Sequence, residues 1–521
     1  MVASSTSLTF GRGGARWVLA ATVLGTAVGQ IDGSLTNLAL PAIARDLHTT
    51  LEGLTWVVNG YTLTLASFIM LGGALGDRFG RRRVFVLGLC WFVSASMLCA
   101  LAPTTEILIA ARGLQGVGGA LLAPASLAIL QASFRVEDRG RAVAAWSGLT
   151  GVAGAAAPLV GGYLLAVGSW RWVFVVNVPL AFLVLWASRA IPETRRGPST
   201  GGLDVPGTLL GALALGGLTL TLSFSTRSRF QDVAVLLPLV LSVVGATLFW
   251  WWEHHAVSPL LPPACFRSRL FVVTNAITGL VYAAFAGVVF WLILALQVVV
   301  GFTALQAGVG LLPITGAILV LSRAAGAWAR RVGLRLPTTF GLTLCAASVA
   351  SLAHVGVGAS YWKDVFGPVL GLGVGSAVVI VPLTVAALDS VPVRRAGLAS
   401  GFNSLVARAG GLIAVAVLPL ITGLGGAASG MAGVATAFPK VMLLCAAMMV
   451  SAAAVAAVTL RGADVMRQPD TPASAARGGE AVMAVAEVTT DAASRGDTGD
   501  PQRSGGRGVT RTRAAHFWRS R

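Results

Sequence analysis

The sequence predicts an all-α integral membrane fold of fourteen spans: two six-helix bundles, related as pseudo-symmetric halves, with two further helices inserted between them. Three observations carry this. Of the 521 residues, 55% are hydrophobic and only 11% charged, with a mean hydropathy of +0.80, whereas soluble domains carry about 25% charged residues. Apolar runs long enough to cross a bilayer at ~20 residues recur along the chain, and they do not alternate as barrel strands would. A basic turn at 73–83 returns in weaker form at 326–333, the kind of internal repeat from which two-bundle membrane proteins are built.

The runs fall at 16–41, 54–75, 84–102, 107–131, 141–166, 171–189, 205–224, 233–252, 270–298, 304–328, 337–356, 365–388, 397–423 and 439–460. The first follows Arg12 and Arg16 and continues well beyond the length of a signal-peptide core, so it is read as an uncleaved span. An even number of spans puts both termini on one side. Leaving out the 10 arginines of residues 461–521, segments on that side hold 19 Lys and Arg, against 6 on the other, and such a bias assigns the basic side to the cytoplasm. The resulting division is a cytoplasmic N-terminus at 1–15, a six-helix bundle at 16–189, a central region with two extra helices at 190–269, a second bundle at 270–460, and a tail at 461–521. The tail is rich in Ala, Gly, Thr, Asp and Arg, too polar to bury a core, and is expected to be disordered.

The net charge of +18 would suggest nucleic acid in a soluble domain; its distribution here describes topology, and no nucleic-acid partner is expected. The five cysteines are scattered and form no disulfide framework. The five histidines form no metal-ligand set with acids or cysteines. Gly116-Val117-Gly118-Gly119 lies inside a span, without the strand–turn–helix setting of a nucleotide site. No enzyme signature, metal or organic cofactor follows, and energy is not expected from bound ATP.

The turn Gly73-Ala74-Leu75-Gly76-Asp77-Arg78-Phe79-Gly80-Arg81-Arg82-Arg83 joins the second and third runs. Its charges mark a membrane face, and Gly76 and Gly80 permit close approach and a tight reversal. In the repeat, Gly326, Arg331 and Gly333 stand where Gly73, Arg78 and Gly80 stand, with Arg330 in place of Asp77. Inside spans, each charge costs at least ~2.5–3.5 kcal/mol unless paired or hydrated. Asp32 lies nine residues before Pro41, or ~14 Å from that end of the run at 1.5 Å per residue. Arg112 lies six residues after Glu106, or ~9 Å from the same face. Similar depths let the two pair or share a cavity. A carboxylate in such a place takes up or releases a proton as a neighbouring arginine moves, although a purely structural ion pair satisfies the same spacing. Pro158, with Gly148, Gly151, Gly154, Gly161 and Gly162, predicts a bent fifth span that admits a close neighbour. Trp56 and Asn59 share a helix face at i, i+3 and are candidates for a cavity wall with Gln115, Asn403 and Arg408. Polar residues such as Asn403 also serve as bonds between helices, and both readings stay open.

The turn at Gly73–Arg83 resembles the cytoplasmic signature loop of the major facilitator superfamily, and the chain over about 16–460 resembles its drug:proton antiporter branch with fourteen spanning helices. Further stretches carry the resemblance. Gln30-Ile31-Asp32-Gly33-Ser34-Leu35-Thr36-Asn37-Leu38-Ala39-Leu40-Pro41 is similar to the first-helix signature of that branch, and Arg112-Gly113-Leu114-Gln115-Gly116-Val117-Gly118-Gly119 to its fourth-helix arginine motif. Trp170 to Pro179 resembles the start of its sixth helix, Trp56 to Tyr61 its second, and Pro158-Leu159-Val160-Gly161-Gly162 its antiporter motif, with Ala157 where the family has glycine. The resemblance implies proton-coupling roles for Asp32 and Arg112, and a conformational latch in Gly73, Asp77, Arg78, Gly80 and Arg81.

The function expected is proton-driven export of an antibiotic or other small toxic organic compound by a monomer in the cell membrane. Its partners are a small molecule, protons and the lipid bilayer. An importer of a small metabolite shares the fold and remains an alternative, as does a membrane receptor or scaffold that transports nothing.

Overall fold

The computed structural model describes residues 8–9, 13–194, 204–225, 232–256, 259, 263–390, 396–422 and 433–460. The tail at 461–521 and most of the segment at 1–15 lie outside them. Among the described residues the secondary structure is helical, apart from one isolated bridge pairing Leu8 with Phe134. Sixteen α-helices follow in order. The first seven are α1 (Gly13–Asp46), α2 (Leu51–Phe79), α3 (Arg81–Ala100), α4 (Thr105–Ser133), α5 (Val136–Val167), α6 (Trp172–Val175) and α7 (Asn177–Ser188). Two more, α8 (Val205–Phe224) and α9 (Val233–His255), come from the central region. The last seven are α10 (Arg269–Val298), α11 (Ala304–Gly310), α12 (Leu312–Val332), α13 (Arg335–Leu352), α14 (Phe366–Asp389), α15 (Ala396–Ile421) and α16 (Val434–Thr459).

Twelve candidate spans among the described residues are long and apolar enough to cross a membrane, α11 and α12 counting as one. Two other expected runs are helical in a different form. The run at 171–189 is split at Val176 into α6 and α7, and that at 337–356 becomes the shorter α13, which ends at Leu352. Several helices outrun their apolar cores. The first run was expected to stop at 41, yet α1 carries Pro41 inside it and reaches Asp46.

The packing separates an N-terminal and a C-terminal group. In the first, α4 lies against α2 and α3, and α1 against α5 and α7. In the second, α10 lies against α15 and α16, and α14 against α12 and α13. Helices α8 and α9 pair with each other, and α8 also touches α2 and α15, one from each group.

The turn between α2 and α3 is tighter than the sequence suggests. Helix α2 runs through the acid and arginine to Phe79, and Gly80 alone links it to Arg81, the first residue of α3. Gly80 has φ 110°, a backbone that side-chain-bearing residues rarely adopt. The repeat uses the same device: Gly333 follows α12 with φ 84°. Thr194 and Glu193 accept hydrogen bonds from the free backbone N–H groups of Arg81 and Arg82 at 3.1 and 3.3 Å, where an acid is favoured by the helix dipole.

At the end of the bundle away from this turn, the two groups close on each other. A Cβ on Gly162 of α5 would overlap the backbone of Leu305 in α11, and one on Gly308 would come within 2.9 Å of the Pro158 carbonyl. Gln297 of α10 also donates to the Leu38 carbonyl of α1 at 3.2 Å.

Candidate functional site

Four polar side chains from three helices meet inside the N-terminal group. The Asp32 carboxylate is 1% exposed. Its Oδ2 accepts from Arg112 Nη1 at 2.5 Å, and its Oδ1 from Gln115 Nε2 at 2.8 Å and Asn177 Nδ2 at 2.9 Å. Arg112 is equally buried. It donates further to Gln115 Oε1 at 2.7 Å and to the Val57 carbonyl at 3.2 Å, and the Tyr61 ring lies 4.5 Å from its guanidinium carbon. A buried ion pair recovers its desolvation cost only when such hydrogen bonds satisfy both partners. This one is so satisfied, by donors that are charged or aimed at charge.

Local sequence explains the convergence. Arg112 and Gln115 are i, i+3 on α4 and therefore share a face. Helix α4 comes close enough because it presents glycine: a Cβ on Gly116 would overlap the Tyr61 carbonyl of α2, and one on Gly118 would fall 2.7 Å from the Phe92 backbone of α3. The glycine-rich stretch is thus a packing seam. The break at Val176 sets Asn177 in the first turn of α7, where Nδ2 also donates to Ser96 Oγ at 2.9 Å.

Beside this network lies a cavity of about 510 Å³, between the two groups. Gln30, Ser34 and Asn37 line it from α1, and Val58, Tyr61 and Thr62 from α2. Arg112 forms part of the wall, while Asp32 stands behind it. The C-terminal group contributes Thr315 and Arg408. The volume is in the range of pockets that hold drug-sized ligands.

Other expected residues fall elsewhere. Trp56 and Asn59 lie off the cavity wall, because α2 turns Val58, Tyr61, Thr62 and Leu65 toward it instead. Asn59 is buried with neither amide atom hydrogen-bonded. Asn403 bonds between helices: its Nδ2 donates to Asn275 Oδ1 at 3.2 Å and Thr278 Oγ1 at 3.1 Å on α10. Of its two readings, the structure favours the bond between helices. Gln115 serves the Asp32 network rather than the cavity surface. In the turn, Asp77 pairs with Arg81 at 2.7 Å, and Arg81 also reaches the Ala128 carbonyl of α4 at 3.0 Å. Arg78 is exposed, 5.7 Å from the Phe79 ring centre, and Gly73 packs beside Pro124. Pro158, Gly161 and Gly162 sit on α5 against α1 and α11, where a Cβ on Gly161 would come within 3.1 Å of Leu35. Asn177, Ser96 and Tyr61 were not anticipated as site residues. Asn177 and Tyr61 lie inside stretches that the resemblance covers, yet nothing local says which way either points.

Residues 22–415 match the sequence model of the Major Facilitator Superfamily. The chain belongs to this superfamily. Among its relatives, the multidrug resistance protein Stp of Mycobacterium tuberculosis (strain ATCC 25618 / H37Rv) is 32% identical over 404 residues, covering 77% of this chain and 74% of Stp. The tetracenomycin C resistance and export protein of Streptomyces glaucescens is 33% identical over 410 residues, with 77% and 75% covered. The cephamycin export protein CmcT of Amycolatopsis lactamdurans is 34% identical over 399 residues, with 76% and 82% covered. The superfamily fold is also seen in solved structures. The peptide transporter PepTSo superposes with a TM-score of 0.64 at 15% identity, covering 87% of this chain and 99% of that one. A bacterial homologue of the lysosomal transporter Spinster, crystallised inward-facing and unoccupied, gives 0.63 at 15%, with 88% and 100% covered.

Proposed function

We propose that this superfamily member exports an antibiotic or other small toxic organic compound across the cell membrane, driven by protons moving inward. Relatives named for multidrug resistance, for tetracenomycin C export and for cephamycin export support the substrate class. The observation that carries the reading is the buried Asp32, Arg112, Gln115 and Asn177 network at the cavity wall.

With both termini in the cytoplasm, the end sealed by Gly162, Leu305 and Gly308 is the outer one, and the cavity is the site that receives substrate from inside. Asp32 is the proton carrier. While ionised, it holds Arg112 against α1. Once protonated, it accepts less strongly and the guanidinium is free to turn to the cavity. Because Arg112 stands between Asp32 and the cavity, proton transfer and rearrangement of the wall are one event. The turn at Gly73–Arg83 acts as a latch through the Asp77 and Arg81 pair. At ~2.3 kcal/mol per charge per 100 mV, one proton sustains a useful gradient. The chain works as a monomer on this reading.

A pump-deficient host expressing the chain, challenged with a broad compound panel, tests the reading. Raised resistance together with substrate-triggered proton release in everted vesicles supports it. Uptake that rises with an inward proton gradient in right-side-out vesicles would instead make it an importer.

A further inference from the structure

Arg408 is the basic residue that α15 brings to the cavity, and its environment differs from that of Arg112 on the facing wall. Arg112 has Asp32 as counter-charge and three hydrogen-bond acceptors. For Arg408, no described carboxylate lies within 4.0 Å, and no hydrogen bond to a described residue satisfies its guanidinium. It is half-buried among α15 and the cavity-lining helices. With Asp32 ionised, the wall therefore carries one compensated and one uncompensated cation. A desolvated cation without a partner is unfavourable, and a bound anion relieves it.

A second feature points the same way. The Thr36 hydroxyl, of a residue on this wall, is buried without a hydrogen-bond partner and can donate. The hydroxyls of Ser34, Thr36 and Thr315 and the amide N–H groups of Gln30 and Asn37 offer donors for a ligand's oxygens, while the Thr62 hydroxyl is taken by the Val58 carbonyl at 3.1 Å. Smaller and apolar residues, including Val58, Leu65 and Leu122, complete the wall.

We propose that Arg408 is the anion-binding residue of this cavity, and that the compounds carried include amphiphiles with a single carboxylate or comparable acidic group. This rests on the export reading and specifies its substrate. The acidic group sits on the Arg408 guanidinium and the apolar body lies toward α1, α2 and α4. Carrying such an anion outward against an inward proton moves two charges in the sense favoured by an inside-negative potential. Export of a neutral compound against the same proton moves one.

The test uses the full-length protein in lipid nanodiscs. Nalidixic acid and fusidic acid are each compared with their methyl esters by equilibrium binding, with empty nanodiscs subtracted. Wild type is expected to favour each acid over its ester by about tenfold or more, the factor supplied by one hydrogen bond to a charged group. Arg408→Gln should bring that ratio close to one, and Arg408→Lys should keep most of it. Wild type binding the esters as tightly as the acids, or binding neither, overturns the proposal, as does an unchanged ratio in Arg408→Gln. The wild-type comparison stands whatever the variants do. Transport in proteoliposomes separates the two readings: acid preference in binding without proton-driven export sinks the exporter and leaves Arg408 as an anion site. Export without acid preference does the reverse.

Discussion

Asp32→Asn is the substitution whose consequences the structure defines most sharply. Three donors converge on two carboxylate oxygens, at 2.5, 2.8 and 2.9 Å. An amide supplies one acceptor and turns its own NH2 toward at least one of those donors. Arg112 is left buried without its counter-charge. Removing one partner of a buried pair in this way costs about 3–5 kcal/mol; access of water to Arg112 from the cavity brings the figure toward the lower end. The double variant Asp32→Asn/Arg112→Gln removes the stranded charge and should recover most of that stability. It should not recover coupling. Thermal unfolding in detergent reads the first quantity. Substrate-triggered proton release and pH-driven export in everted vesicles read the second, at matched membrane levels. The single variant should be destabilised and uncoupled, the double variant stable and uncoupled. A double variant that still releases protons and exports in response to a pH gradient would refute the reasoning and reduce the pair to a structural salt bridge.

The latch and the sealed end give further expectations. Asp77→Ala removes a partly exposed i, i+4 pair with Arg81, a stability change below about 1 kcal/mol, yet should slow turnover several-fold while binding stays near wild type; initial rates set against equilibrium binding decide, and weaker binding at unchanged turnover contradicts the latch. Gly162→Val forces a side chain into Leu305, an overpacking strain of about 1–3 kcal/mol, so the outer seal should open more often. A cysteine at Gln297→Cys, next to that seal, should then label faster with an impermeant maleimide, and unchanged labelling counts against the closed end described above. Bis-cationic biocides should be carried poorly, because Arg408 faces the cavity and Asp32 is engaged by three donors. Resistance confined to bis-cations over monocationic dyes and acidic or neutral antibiotics would overturn that expectation.

What the sequence determined by itself was everything governed by local chemistry and by the bilayer. Apolar run length anticipated the helices, twelve of which among the described residues are long and apolar enough to cross a membrane, and Gly80 and Gly333 marked tight turns because their side-chain-free backbones adopt φ of 110° and 84°. The depth of Asp32 and Arg112 along oppositely running helices was also legible, since rise per residue is fixed, and the two side chains do meet. Rotation about each helix axis was not legible, because nearly every face of a membrane helix is apolar and no periodic signal records which face turns inward. Only packing decides it. Glycine seams bring α4 against α2 and α3, the break at Val176 aims Asn177 at Asp32, and α2 turns Tyr61 rather than Trp56 toward the cavity. Asn403 looked equally suited to the cavity and to a bond between helices until α10 supplied Asn275 and Thr278 as its partners. A polar group in a span needs some partner, and the tertiary structure alone determines which one lies within reach.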